Sequence, residues 1–157
     1  MTEKKAYAGT LVSVDKSMGE VTSLLRRRSV TGLQWTEEGL RATLRFRWTS
    51  AAGVMLCARF GLEVTPPRAP RGRRLTSKQI DDFLEKERRR LFRVLVHFLK
   101  NLFEAVDGGL LTLEQALLPY LEDGAGQTIG ELLGPRLALL AARPLAMALG
   151  AGEVPRG

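Results

Sequence analysis

The chain has 157 residues, 45% of them apolar, which is enough for one domain with a hydrophobic core and too apolar for a disordered polymer. Its formal charge of +7 points toward an anionic partner, but the charge is uneven: residues 1–74 hold 14 Lys and Arg against six Asp and Glu, while residues 108–157 hold three against five. A single cysteine (Cys57) and a single histidine (His97) exclude an internal disulfide and a His/Cys zinc site, and no apolar run is long enough to span a membrane.

Residues 6–14 alternate, with Ala6, Ala8, Thr10, Val12 and Val14 on one side, and read as a first strand. No signal-peptide pattern precedes it. With the lone cysteine, this leads to the expectation of a cytoplasmic chain. Ser17-Met18-Gly19-Glu20 has the form of a capping box and predicts a short helix to about Arg27, with Val21, Leu24 and Leu25 facing inward. Arg26, Arg27 and Arg28 then crowd its C-terminus. They suit the helix dipole there, and they equally suit a phosphate-binding corner.

Residues 30–36 predict a strand, and Glu37-Glu38-Gly39 a hairpin turn. Residues 40–49 are the clearest strand: Leu40, Ala42, Leu44, Phe46 and Trp48 alternate with Arg41, Thr43, Arg45, Arg47 and Thr49. Ser50 to Gly53 forms the next turn, and residues 54–64 the partner strand, which Pro66-Pro67 ends. Period two places Arg41, Arg45 and Arg47 on one outward face, where Arg59 joins them from the neighbouring strand. Such a face suits phosphates, although an outward sheet face also uses arginine for solubility alone. Tyr7 and Trp35 would stack a base only if they shared that face, and packing is the simpler role for both. Arg68, Arg71, Arg73 and Arg74 make the segment before the next helix a stiff basic linker.

Residues 77–106 predict one long helix, capped by Thr76 or Ser77 and ended by Gly108-Gly109. Ile80, Leu84, Leu91, Leu95, Phe98, Leu102 and Val106 form one apolar stripe, and Phe92, Val96, Leu99 and Phe103 a second. Lys86, Arg89, Arg90, Arg93, His97 and Lys100 form a basic flank. Thr112 to Gln115 is a second capping box for a helix to about Leu121, and Thr128 to Glu131 is a third. Gly134-Pro135 is read as a fresh helix start with Pro135 at its first position. Leu145, Met147 and Leu149 supply an apolar tail, the helix bends at Pro144, and residues 151–157 fray.

Several separated segments resemble an uncharacterised family of small proteins from tailed phages, prophages and plasmids. They are Glu87-Arg88-Arg89-Arg90-Leu91-Phe92-Arg93, Leu99-Lys100-Asn101-Leu102-Phe103-Glu104-Ala105-Val106-Asp107-Gly108-Gly109, and Thr112-Leu113-Glu114. Gly9-Thr10, Lys16-Ser17 and Pro66 match the N-terminal half of that pattern. Gly126-Gln127-Thr128-Ile129-Gly130-Glu131-Leu132, Pro135 and Arg143-Pro144 match its C-terminal part. The likeness spans nearly the whole chain. It departs at Phe92, where tryptophan is typical, and at Asn101-Leu102, where a lysine and leucine follow an alanine. It implies a mobile-element origin and supplies no activity and no catalytic residue.

The expected fold is α+β: a small, mainly antiparallel sheet with one short helix, then a long central helix and short C-terminal helices. One domain covers residues 1–150, with a sheet-rich half at 1–66, a linker at 67–75 and a helical half at 76–150. No phosphate loop with its lysine, no nucleophile with its base and no metal-ligand cluster is present, so neither enzymatic activity nor a cofactor is expected. The leading expectation is a non-enzymatic nucleic-acid-binding protein of a phage-like process. Phosphate contacts, to DNA or RNA, would come from Arg26, Arg27, Arg28, Arg41, Arg45, Arg47, Arg59, Arg68, Arg71, Arg73 and Arg74. The alternatives are a protein-binding modulator of a host or phage polymerase or nuclease complex, and a structural homodimer through Phe92, Val96 and Phe103.

Overall fold

A computed structural model describes residues 5–69 and 73–141. Arg71, the bend at Pro144, the apolar residues Leu145, Met147 and Leu149, and the frayed tail lie outside the described residues. The elements are α1 (Val14–Arg26), β1 (Gly32–Glu38), β2 (Arg41–Thr49), β3 (Met55–Glu63), α2 (Ser77–Asp107), α3 (Leu113–Leu117), a 3-10 turn (Leu118–Tyr120) and α4 (Ile129–Ala141). This is the expected α+β arrangement, built on a three-stranded antiparallel sheet in the order β1-β2-β3. Among the described residues, no helix is long and apolar enough to cross a membrane.

The sheet follows from the alternation in β2. Ala42, Leu44, Phe46 and Trp48 are buried, while Arg41, Arg45, Arg47 and Thr49 are exposed. β3 matches it in register, with Leu44 opposite Phe60 and Arg45 opposite Arg59. A two-residue turn joins β1 to β2, and Gly39 supplies the positive φ it needs (59°). The turn therefore falls at Gly39-Leu40, because β1 keeps pairing through Glu38, opposite Arg41.

The helices α1, α2 and α3 pack on the inner face. Val21 and Leu25 of α1, Leu95, Val96, Leu99 and Phe103 of α2, and Leu117 of α3 join Leu44, Phe46, Trp48, Ala58 and Phe60 in one core. The core therefore draws on both sides of the linker. Trp35 stacks on Phe92 (5.6 Å), and Phe98 meets Phe60 edge-on (6.1 Å). Phe92, Val96 and Phe103 are thus sealed inside the chain, at 1%, 0% and 3% exposure. This corrects the expectation of a partner surface on that stripe: the second stripe faces the core, while of the first only Leu95 is buried and the rest is half-buried or exposed.

The N-terminal segment differs from the expected strand. Residues 6–9 turn, with Ala8 N donating to Lys5 O and Thr10 N to Tyr7 O, and Tyr7 takes a left-handed φ of 62° that no strand allows. Its ring lies flat on His97, 4.6 Å away, so the segment is drawn to α2 and not to the sheet. The helix cap moves with it. Ser13, not Ser17, caps α1 by accepting from Lys16 N (3.2 Å). The earlier start lets Ser17, Val21 and Leu25 form one buried row at four-residue spacing.

The two capping boxes further along form as expected. Thr112 exchanges bonds with Gln115, and Thr128 with Glu131. The α3 helix stops earlier than expected, at Leu117, because Pro119 tightens the next turn into the 3-10 form. Pro135 does not restart a helix but sits inside α4. Gly134 precedes it, and without a Cβ there the clash that normally keeps the pre-proline residue out of the helical region is relieved.

Candidate nucleic-acid interface

Among the described residues, the sheet's outward face lies opposite α1, α2 and α3, which pack on its inner side. Its rows follow from the register: Gly32, Arg47 and Cys57; Gln34, Arg45 and Arg59; Thr36, Thr43 and Gly61; Glu38, Arg41 and Glu63. Arg41 and Arg47 are exposed and have no ion-pair partner among the described residues. Arg41 stands between Glu38 and Glu63 in register without closing a salt bridge to either. A polar hollow of about 190 Å³ opens beside it, lined by Thr36, Glu38, Thr43, Arg45 and Arg59.

Glycines shape how these arginines lie. A Cβ at Gly32 would meet Arg47 Nε at 2.9 Å, and one at Gly61 would meet Arg41 Nη2 at 3.7 Å. Arg47 therefore reclines over β1, and Arg41 leans toward β3.

Arg59 does not share this freedom. The segment after α3 adds itself to the β3 edge: Leu121 bridges Ala58, and Glu122 N donates to Cys57 O (2.8 Å). That places the Glu122 carboxylate, 9% exposed, over the sheet. Arg45 Nε donates to it at 3.0 Å, and Arg59 Nε lies 2.9 Å away, off the N–H axis. Arg59 Nη2 donates to Glu131 Oε2 (2.6 Å) at the start of α4, leaving the arginine 13% exposed. Arg59 is thus a strut between sheet and C-terminal helices. Arg45 keeps 44% exposure and stays reachable.

Arg28 is also turned inward. It makes a two-pronged ion pair with Asp107 and lies 4.8 Å above the Phe103 ring, within the helical layer. Both charged forms are favoured by that bond: Arg28 is pushed up and Asp107 held down, each chiefly by the other. Arg26 and Arg27 stay exposed at the end of α1. They reach the sheet through the short connection in which Thr31 N donates to Arg47 O (2.8 Å), so Arg27 and Thr31 are at most about 14 Å apart. Arg68, Arg73 and Arg74 are exposed and belong to no element.

The basic flank of α2 is largely neutralised. Arg89 pairs with Glu85, Arg90 with Glu87, and Arg93 and Lys100 with Glu20. His97 stacks on Tyr7 and is held below its usual range by desolvation, then by Arg93 and Lys100. Trp35 faces the core and donates to Thr22 Oγ1 (3.5 Å). Neither aromatic is on the arginine face. Among the described residues, no three His, Cys, Asp or Glu side chains come together as a metal site.

Sequence reasoning missed Glu122 and Glu131 as partners of the arginine face. Glu122 lies 77 positions from Arg45, and no local pattern signals such a pair. No family model, curated protein or solved structure matches the chain.

Proposed function

We propose that the chain is a non-enzymatic nucleic-acid-binding protein of a phage-like or mobile-element process, holding phosphates on the outward face of its sheet. Arg41, Arg45 and Arg47 make the contacts, with Arg26 and Arg27 extending them past the α1 end. The observation that carries this reading is the exposure of three guanidiniums along one strand, on the face opposite α1, α2 and α3, two of them without a carboxylate partner among the described residues. Arg28 and Arg59 are assigned to structure instead, because their guanidiniums are committed to Asp107 and to Glu122 and Glu131. Phosphate contacts position a protein without reading sequence, so binding is expected to be general and salt-dependent.

The test is recovery of the tagged protein from its host with and without nuclease. A nucleic acid released at high salt, and lost with Arg45→Glu and Arg47→Glu together, supports the reading. A stoichiometric protein that survives nuclease overturns it.

One observation favours a second reading. Leu132, Leu133, Leu137 and Leu139 of α4 are exposed, at 38%, 44%, 58% and 71%. A leucine-bearing helix this open suits contact with a protein, as in a modulator of a polymerase or nuclease complex. That contact would persist at high salt and be lost with Leu133→Asp and Leu137→Asp.

A further inference from the structure

The arginine face holds charge but no aromatic ring. The chain has six phenylalanines, two tryptophans and two tyrosines. The strands contribute only Trp35, Phe46, Trp48 and Phe60, and all four stand on the inward side of the register. The others belong to α2 or, as Tyr7 and Tyr120, stack on His97 and Phe60. Surfaces that hold single strands stack successive bases on aromatic side chains, and this face offers none.

Its charges also spread in two dimensions. From Arg41 to Arg47, β2 rises about 20 Å. Across the strands, Arg47 lies over Gly32 of β1 while Arg41 leans toward Gly61 of β3, on the other side of β2. The missing Cβ at residue 32 is what lets Arg47 lie flat. A row of charge one strand wide would suit a single phosphate chain. A diagonal band suits the paired phosphate rows that border a groove. A duplex also presents the higher charge density, one negative charge per about 1.7 Å of its axis.

From the ring-free face and the diagonal arginines we infer that the ligand is a double-stranded nucleic acid, held by its backbone without base stacking. This rests on the phosphate-binding role proposed above for the same face. Arg41 and Arg47 anchor the two ends of the band, and Arg45, tethered to Glu122, fills its centre.

The experiment uses the full chain and fluorescence anisotropy with two labelled probes of equal length, a mixed-sequence DNA duplex and an oligo(dT) strand, over about 50–200 mM salt. The duplex is expected to bind at least about tenfold tighter at the low end, with a slope of log K against log salt near −2.7 from the three phosphates on the sheet face, steeper by about 0.9 for each one that Arg26 and Arg27 add. Arg41→Ala with Arg47→Ala should reduce that slope by about 1.8, while the lysine pair at both positions retains it. Circular dichroism and melting of both variants establish that they fold. Equal or tighter binding of oligo(dT) overturns the duplex inference and leaves phosphate binding standing. No salt-dependent binding of either probe overturns both. Duplex binding unchanged in the folded alanine pair overturns the assignment to this face.

Discussion

Arg93 on α2 donates from Nη1 and Nη2 to both carboxylate oxygens of Glu20 on α1, at 2.7 and 2.9 Å, and so clamps the two helices that cover the sheet. The Arg93 bond, with its charge and that of Lys100 behind it, holds the Glu20 carboxyl down at about 2, from an ordinary 4.5. A lowered carboxyl stabilises the fold above its unfolded value and loses that contribution as pH falls through the folded one. Glu20→Gln is therefore expected to cost about 1–2 kcal/mol at pH 7. Its stability should converge with that of the wild type between pH 4.5 and about 2. Urea unfolding across that window checks this, and a gap constant with pH would count against the clamp.

Gly130 is where α4 meets the preceding turn. A Cβ there would lie 2.8 Å from the Pro119 carbonyl oxygen, a backbone atom that cannot swing aside. Gly130→Ala is expected to lift α4 from its seat and destabilise the protein by about 1–3 kcal/mol. Faster amide exchange in α4 would locate the effect. Gly19→Ala is the contrasting change: it is exposed in mid-α1 with nothing within 4 Å, and should gain about 0.5–1 kcal/mol.

What was legible in the sequence was local. The alternation of β2, the two Thr capping boxes and the bounds of α2 each depend on residues within a turn or a strand of one another. Residues 6–14 also alternate, but with Ala6, Ala8 and Thr10 the apolar side is thin. One long-range contact, Tyr7 on His97, decides the segment's course. The second stripe of α2 was visible, but not which stripe the sheet would take. Burial chose the row with Phe92, Val96, Leu99 and Phe103. The candidate site was half legible for the same reason. Period two placed Arg41, Arg45, Arg47 and Arg59 together, whereas the pairing of Arg59 to Glu122 and Glu131 depends on a chain return that no local spacing encodes.

Cys57 donates its thiol to Glu122 Oε2 (3.2 Å) beside the arginine face. Burial first, then this bond and the Glu122 charge, push the thiol up to about 11. Since the thiolate is the reactive form, the native protein at pH 8 should react with a thiol reagent about 100-fold more slowly than the unfolded chain. Glu122→Gln removes the nearby charge and should speed the native reaction, though not to the unfolded rate, because burial remains. A native rate equal to the unfolded one would show that the thiol is not held in this way.

Phe103 distinguishes a core role for the second stripe of α2 from a dimer contact. It is 3% exposed within a single chain, under the Arg28 guanidinium. Phe103→Ala is expected to cost about 3–5 kcal/mol in urea unfolding, at any protein concentration. Sedimentation of the folded fraction should give the same mass as the wild type. A concentration-dependent loss of stability, with a fall in mass, would return the stripe to a dimer interface.

Arg28 and Arg47 should divide stability from binding. Arg28 is held by Asp107 and by the Phe103 ring, both within the helical layer, so Arg28→Ala should lower the melting temperature. It should leave the salt slope of polyanion binding untouched. Arg47 makes no ion pair among the described residues and rests on Gly32, so Arg47→Ala should leave the melting temperature within about two degrees, as for surface changes of under 0.5 kcal/mol. It should also reduce the slope by about 0.9, one phosphate. Melting and binding measured on both variants test the division. A slope lost with Arg28→Ala and kept with Arg47→Ala would move the interface off the sheet to the α1 corner.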